Sequence, residues 1–339
     1  MYSTQSRRNF LSTLSAAGAA GILGPRRSLA DDGPPEIATA RLLRDVTCGA
    51  PIAIAEDLVR AEGFAEVRYA EYEPGLSDVQ HVLNGSADIV AAFAPDIVSE
   101  LDNGTPITVL AGLHVGCQEL FARESINSIK DLKGKRVALN QINYGTHLTL
   151  SVMAAAVGLD PAREIEWIVP PSSTSVTPGA RELFEDGKVD AYLALPPHAQ
   201  ELRASGHGHV ILRTSTDRPW SQYFCCMLVA RREHAERNPA ATKRLMRAIL
   251  KSTDVCATEP QQAARKLAER APEIGYDMAL AIMADVPYNA WREYDHEDTL
   301  RFFALRLHEL GFINSSPNKI IADGTDWRFL NELKRELKA

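Results

Sequence analysis

The chain has 339 residues, with 37 basic and 44 acidic side chains and a formal net charge of -7 at neutral pH. No basic stripe is present to displace counterions from phosphate, so a nucleic-acid partner is excluded; the length suits two lobes better than one core. The five cysteines, Cys48, Cys117, Cys225, Cys226 and Cys256, show neither Cys-x-x-Cys spacing nor a histidine at metal-ligand spacing. The sequence therefore marks no zinc site, no other metal site and no cofactor.

Residues 1–30 read as an export address. Ser6-Arg7-Arg8-Asn9-Phe10-Leu11 is followed by an Ala/Gly-rich apolar run to Leu23, then by Arg26-Arg27-Ser28-Leu29-Ala30. A charged start, a short apolar middle and small residues two apart make a secretory signal, with cleavage after Ala30. The run is about 13 residues long against the ~20 that span a bilayer. The paired arginines resemble the twin-arginine signal, so the twin-arginine translocase is the expected export partner. Removing this segment takes four arginines and no acid, and the charge moves from -7 to -11.

Beyond an Asp31–Pro35 linker, strand and helix patterns alternate. Ile37–Leu43 predicts a strand, and Ile52, Ala55, Leu58 and Val59 recur on one face of a helix that Gly63 ends. A strand at Glu66–Glu71, a helix capped by Ser77 or Asp78, and strands at Asp88–Phe93 and Ile107–Leu113 follow. A new pattern starts near Cys117. Ile129–Leu139 reads as a helical turn, a glycine break and a strand; a loop then feeds a helix from Thr146 to Val157. Strands at Glu164–Val169 and Ala191–Leu195 flank a helix at Pro178–Asp186, a long apolar strand runs from Gln222 to Ala230, and helices follow from Asn238-Pro239 onward. Such alternation predicts an α/β fold of two lobes, each a mixed, mostly parallel sheet flanked by helices. The changes of pattern predict lobe 1 from residues 31–116 and 222–339, with residues 117–221 inserted as lobe 2 and two hinge strands between them.

Three stretches resemble the SsuA/THI5-like (NMT1-like) periplasmic binding proteins of sulfonate, taurine, nitrate and thiamine-precursor uptake: APIAIAEDLVRAEG at Ala50–Gly63, LKGKRVA at Leu132–Ala138 with the helix Gly145–Gly158, and ELFEDGKVDAY at Glu182–Tyr192. The resemblance implies a type II periplasmic-binding fold; the signal makes the periplasm the expected location, and a monomer is expected. Its partners would be a small-molecule ligand and the membrane permease of an ABC transporter, and the solute a sulfonate, aromatic carboxylate, nitrate or pyrimidine.

Ligands of open α/β sheets sit beyond the strands' C-terminal ends. Those ends are the loops Thr47–Pro51, Glu73–Ser77, Phe93–Asp96, Asn143–His147, Ser172–Thr174, Leu195–His198 and Trp220–Gln222. The expected ligand-binding residues are Cys48, Gly49, Pro74, Phe93, Ala94, Asn143, Tyr144, Gly145, Thr146, His147, Leu195, Trp220 and Gln222. Gly145 admits a ligand to the backbone and Thr146 caps a helix whose N–H groups suit an anion. Phe93, Tyr144 and Trp220 suit a flat one.

No Gly-x-Ser-x-Gly elbow, P-loop or His-Glu-x-x-His is present, and a binder rather than an enzyme is expected. The alternative is an enzyme of the fungal thiamine-pyrimidine synthase type, which shares the fold and uses a cysteine-rich run. Cys225-Cys226 resembles that run superficially, but neighbouring strand residues face opposite ways, so both are not expected at one cleft. A bond between Cys117 and Cys225, both on predicted hinge strands, stays open at this stage.

Overall fold

The computed structural model describes residues 33–45, 47–73, 75–170 and 179–337; the export address and its cleavage point lie outside them. In chain order the described strands are β1 (Thr39–Leu43), β2 (Glu66–Ala70), β3 (Ile89–Phe93), β4 (Ile107–Val115), β5 (Glu119–Ala122), β6 (Arg136–Ala138), β7 (Glu166–Ile168), β8 (Ala191–Ala194), β9 (His209–Arg213) and β10 (Phe224–Arg231). They make two five-stranded sheets, one ordered β2-β1-β3-β10-β4 and the other β7-β6-β8-β5-β9. Each sheet is flanked by helices, the two-lobed α/β architecture expected from the alternation. Both sheets are mixed for one reason. The strands that follow a change of sheet, β5 and β10, run antiparallel to both their neighbours, while β1–β2, β1–β3, β6–β7 and β6–β8 are parallel.

The chain passes from the first sheet to the second between Val115 and Glu119, and back between Arg213 and Phe224. The two passages touch. Gln118 N–H donates to Thr214 Oγ1 (2.9 Å) and Thr214 N–H to the Gln118 carbonyl (2.9 Å). Between them Gly116 has φ +20°, and a β-carbon there would lie 2.2 Å from the Thr214 carbonyl; only glycine lets the strands cross this closely.

Local chemistry explains the elements. Ser77 caps the helix Asp78–Leu83: its Oγ accepts from Gln80 N–H (3.3 Å) while Gln80 Oε1 accepts from Ser77 N–H (2.8 Å), a capping box. The helix predicted to Glu62 is broken into Ala50–Ala53 and Glu56–Ala61 at Ile54-Ala55. The helix Pro239–Thr258 begins with Pro239 in its first turn, and the Glu36 carboxylate accepts from the N–H groups of Ala240 and Ala241 (2.9 and 2.8 Å). Strand β9 and the helix His198–Ser205 are additions to the predicted elements. Among the described residues no helix is long and apolar enough to cross a membrane.

Candidate functional site

A cavity of about 350 Å³ opens beyond the ends of β1, β2, β3 and β8, its wall drawn from both lobes. Lobe 1 contributes Asp45, Cys48, Tyr72, Asp78 and Phe93, and lobe 2 contributes Tyr192, Leu195, Pro196, Pro197 and His198; Cys226 of β10 closes the floor. The size falls within the usual ~300–1,000 Å³ of small-molecule sites.

The expected residues divide. Cys48, Phe93 and Leu195 line the cavity. Tyr144, Gly145 and Thr146 border a narrow crevice that adjoins it through Phe93 and Leu195. Trp220 lines a second crevice with Phe93 and Cys225, its ring edge-on to Phe302 at 6.2 Å. Pro74 and the Ser172–Thr174 loop lie outside the described residues. The others stand away from the cavity for identifiable reasons. Ala94 is fully buried in the first turn of its helix. Asn143 and Gln222 are exposed. His147 accepts from Asn143 N–H (3.0 Å) and packs edge-on to Trp167 (4.9 Å) and Phe312 (5.7 Å); burial lowers it to about 4, so it is a neutral packing group.

Gly49 has a different task from the one expected. A β-carbon there would sit 1.8 Å from Asp45 Oδ2, so glycine is what admits that buried carboxylate. Gly49→Ala is expected to destabilise the protein by about 1–3 kcal/mol in urea unfolding. Asp45→Ala in the same chain should recover most of that loss; no recovery would place the strain elsewhere.

The helix end at Gly145 is already in use. Tyr144 is its N-cap and makes no side-chain cap, and Thr146 is not the cap. Instead Gly145 N–H donates to Asp96 Oδ1 of the opposite lobe (2.5 Å). Burial holds the Asp96 carboxyl well above the usual carboxylate range, while the Gly145 bond works against that rise.

Two more acids face the cavity with raised values. Burial, and then the Cys48 thiolate, push Asp45 up to about 6; it accepts from Thr47 N–H (2.9 Å) and Oγ1 (2.7 Å). Burial raises Asp78 to about 7 against the bond it accepts from Tyr72 Oη (2.7 Å), with the charges of Asp45 and Cys48 adding to the rise. Arg44, the one arginine of the described lining, is paired with Glu71 (2.7 Å) and Glu273 (2.8 Å). His198 shares a hydrogen bond with Tyr192 Oη (3.1 Å), and burial lowers its value.

The fold gathers thiols that lie far apart in the sequence. Four of the five cysteines converge with His114 of β4 below the cavity, so a histidine does stand at metal-ligand distance from Cys48 and Cys226. Cys48 and Cys226 Sγ are 3.9 Å apart, and Cys117 and Cys225 Sγ are 3.3 Å apart as free thiols. β10 bulges at Cys225, where Phe224 pairs with Val115 and Cys226 with the next residue, His114; Cys226 lines the large cavity and Cys225 the crevice beside Trp220, so the two do not share one cleft. The adjacent thiols are nevertheless hydrogen-bond neighbours. Thiol bonds from Cys117 and Cys226 hold Cys48 well below the usual thiol range. Burial works to lower His114, but the Cys48 thiolate lifts it to about 9.

The family model described as NMT1/THI5 like matches residues 54–263. No curated protein matches the chain. Among solved structures it is similar to the periplasmic nitrate-binding protein NrtA from Synechocystis PCC 6803, at 15% identity and TM-score 0.74 over 90% of each chain. The alkanesulfonate-binding protein SsuA from Xanthomonas axonopodis pv. citri, bound to MOPS, has 15% identity and TM-score 0.70 over 86% of this chain and 99% of its own. The desulfurization enzyme DSZB has 15% identity and TM-score 0.58 over 89% of this chain and 99% of its own. At these identities the structures establish a shared fold.

Proposed function

We infer that this chain, which belongs to the NMT1/THI5-like family, is the solute-binding component of an ABC-type uptake system, and that its solute is an uncharged flat heterocycle of the pyrimidine class. The observation that carries the solute class is the cavity itself. Phe93, Tyr72 and Tyr192 offer aromatic walls, Asp45 and Asp78 offer carboxyls whose raised values allow them to donate as well as accept, and Arg44 is already neutralised by Glu71 and Glu273. A nitrate or sulfonate would meet two acids and a spent arginine, with the Gly145 helix end filled by Asp96. A ring bearing both donors and acceptors fits the carboxyls in either protonation state.

The signal in residues 1–30 supports export to the periplasm, and the family supports a partner permease. A reporter fused to residues 1–30 should lose export when Arg7 and Arg8 become lysine. For the solute, thermal shift on protein unfolded, washed free of small molecules and refolded separates the classes. A pyrimidine at 100 times its Kd contributes about 2.7 kcal/mol, a rise of about 5 °C for a chain of this size. A rise with sulfonates or nitrate alone would overturn the solute class; no rise with any class would overturn the binding role.

One observation favours a second reading, an enzyme on the same fold: the depressed Cys48 thiol beside a raised His114, with Cys48 in the cavity wall. Mass spectrometry of the heterocycle after incubation decides it, since a binder returns its solute unchanged.

A further inference from the structure

We propose that Cys48, Cys226 and His114 form a binding site for one zinc-class metal ion, at the floor of the cavity, with its fourth coordination position turned toward the solute space. The three donor atoms lie within 4.8 Å of one another and all three residues are buried. A zinc–sulfur bond of about 2.3 Å makes the sulfur–sulfur edge of a tetrahedral site about 3.8 Å; Cys48 Sγ and Cys226 Sγ are 3.9 Å apart.

The histidine is prepared for the same task. His114 is wholly buried, and its Nδ1 faces the Val115 carbonyl oxygen at 3.1 Å, where an N–H donates. That bond fixes the ring and the tautomer in the manner of metal-ligating histidines. It leaves Nε2 buried with no hydrogen-bond partner at ordinary distance; the ring also interacts with Cys48, one of the two sulfurs that would share the ion, and a buried polar atom placed so calls for a ligand. Tyr288, edge-on to the His114 ring at 5.8 Å, donates to the Cys48 carbonyl (3.1 Å) and so braces two of the three ligands from one side.

Charge favours a divalent ion. Two thiolates, one neutral imidazole and a 2+ ion sum to zero, which removes the cost of burying an uncompensated charge. A monovalent soft ion would leave one negative charge beside Asp45. Thiolate sulfur also selects against magnesium and calcium. Binding needs both sulfurs as thiolates and the imidazole unprotonated at Nε2, so any proton held at those three atoms beforehand goes to solvent. Since Cys48 and Cys226 also line the cavity, the open position faces the space a solute would fill, the arrangement of zinc sites that keep a place for substrate or water.

The test uses the mature chain, stripped with a chelator and kept in a non-thiol reductant. Zinc titrated against a chromophoric chelator should fill one site per chain, and cobalt(II) in its place should show a thiolate-to-cobalt charge-transfer band with the visible bands of a tetrahedral site. Cys48→Ser and Cys226→Ser should each weaken zinc binding by about 100-fold or more and remove the charge-transfer band. Cys256→Ser, a buried thiol outside the cluster, should change neither. Thermal melts confirm that each variant is folded, and if Cys48→Ser is not, Cys226→Ser decides alone. Three results overturn the site: no stoichiometric zinc binding by the reduced wild type, binding that survives both substitutions, or a Cys48–Cys226 disulfide in the protein as isolated. No solute is used, so failure here leaves the heterocycle assignment to its own assay.

Discussion

Arg247→Ala is expected to destabilise the protein by about 3–5 kcal/mol, the range for removing one partner of a buried ion pair. The Arg247 side chain is 0% exposed; its guanidinium donates to Glu62 Oε2 (2.7 Å) and Glu336 Oε2 (2.7 Å). Glu62 follows the helix Glu56–Ala61 and Glu336 closes the helix Arg328–Glu336, so the long helix Pro239–Thr258 ties an early and a late segment together through one side chain. Alanine leaves Glu62, itself 5% exposed, with Lys251 (2.9 Å) as its remaining cation among the described residues. Arg247→Lys should recover a minor share, because an ammonium cannot reach both carboxylates with a rigid fork. Urea unfolding followed by circular dichroism measures both, and a loss below about 1 kcal/mol for alanine would mean that Lys243 and Lys251 carry the network.

The second large effect is on pH. Asp78 rises to about 7 and Asp45 to about 6 from an ordinary carboxylate value. The folded state therefore holds more protons than the unfolded chain between about pH 4 and 7, and these groups make stability fall as pH rises through that window. Their contribution is fully present below the unfolded value and lost above the folded one. At 1.36 kcal/mol for each unit, Asp78 alone is worth on the order of 2–4 kcal/mol. Asp78→Asn keeps the acceptor for Tyr72 Oη and removes the titration, so the variant should gain melting temperature over wild type at pH 8 and little at pH 4.5. Buried His147 and His296, lowered to about 4 and about 3, act in the opposite direction on acidification, and taking the variant-minus-wild-type difference cancels them. An equal difference at both pH values would show that Asp78 is an ordinary carboxylate.

How much was legible follows from how each feature is encoded. Periodicity and caps are local, so Ser77, the strands and the helix after Gly145 could be read from neighbours a few residues apart. Loops at strand ends were legible too: Leu195–His198 lines the cavity throughout. Tyr72 and Asp78 flank the predicted loop Glu73–Ser77 by one residue on either side, and Asp45 precedes Thr47–Pro51 by two, a normal error in strand ends. His114 was not legible, because a histidine inside an apolar strand carries no mark of what lies across from it. The thiol cluster needs three distant segments and a bulge at Cys225; no spacing rule encodes that. The use of Gly145 was misread for the same reason, since its partner Asp96 lies 49 residues away on the other lobe.

That pairing of Asp96 with Gly145 bears on selectivity. A carboxyl built into the chain is a tethered competitor at the helix end, and its effective concentration is set by the fold rather than by the surroundings. A nitrate or sulfonate arriving from solution would have to displace it. On the solute class proposed above, discrimination against anions would need no repulsive residue in the cavity, because the Gly145 helix end is occupied from within.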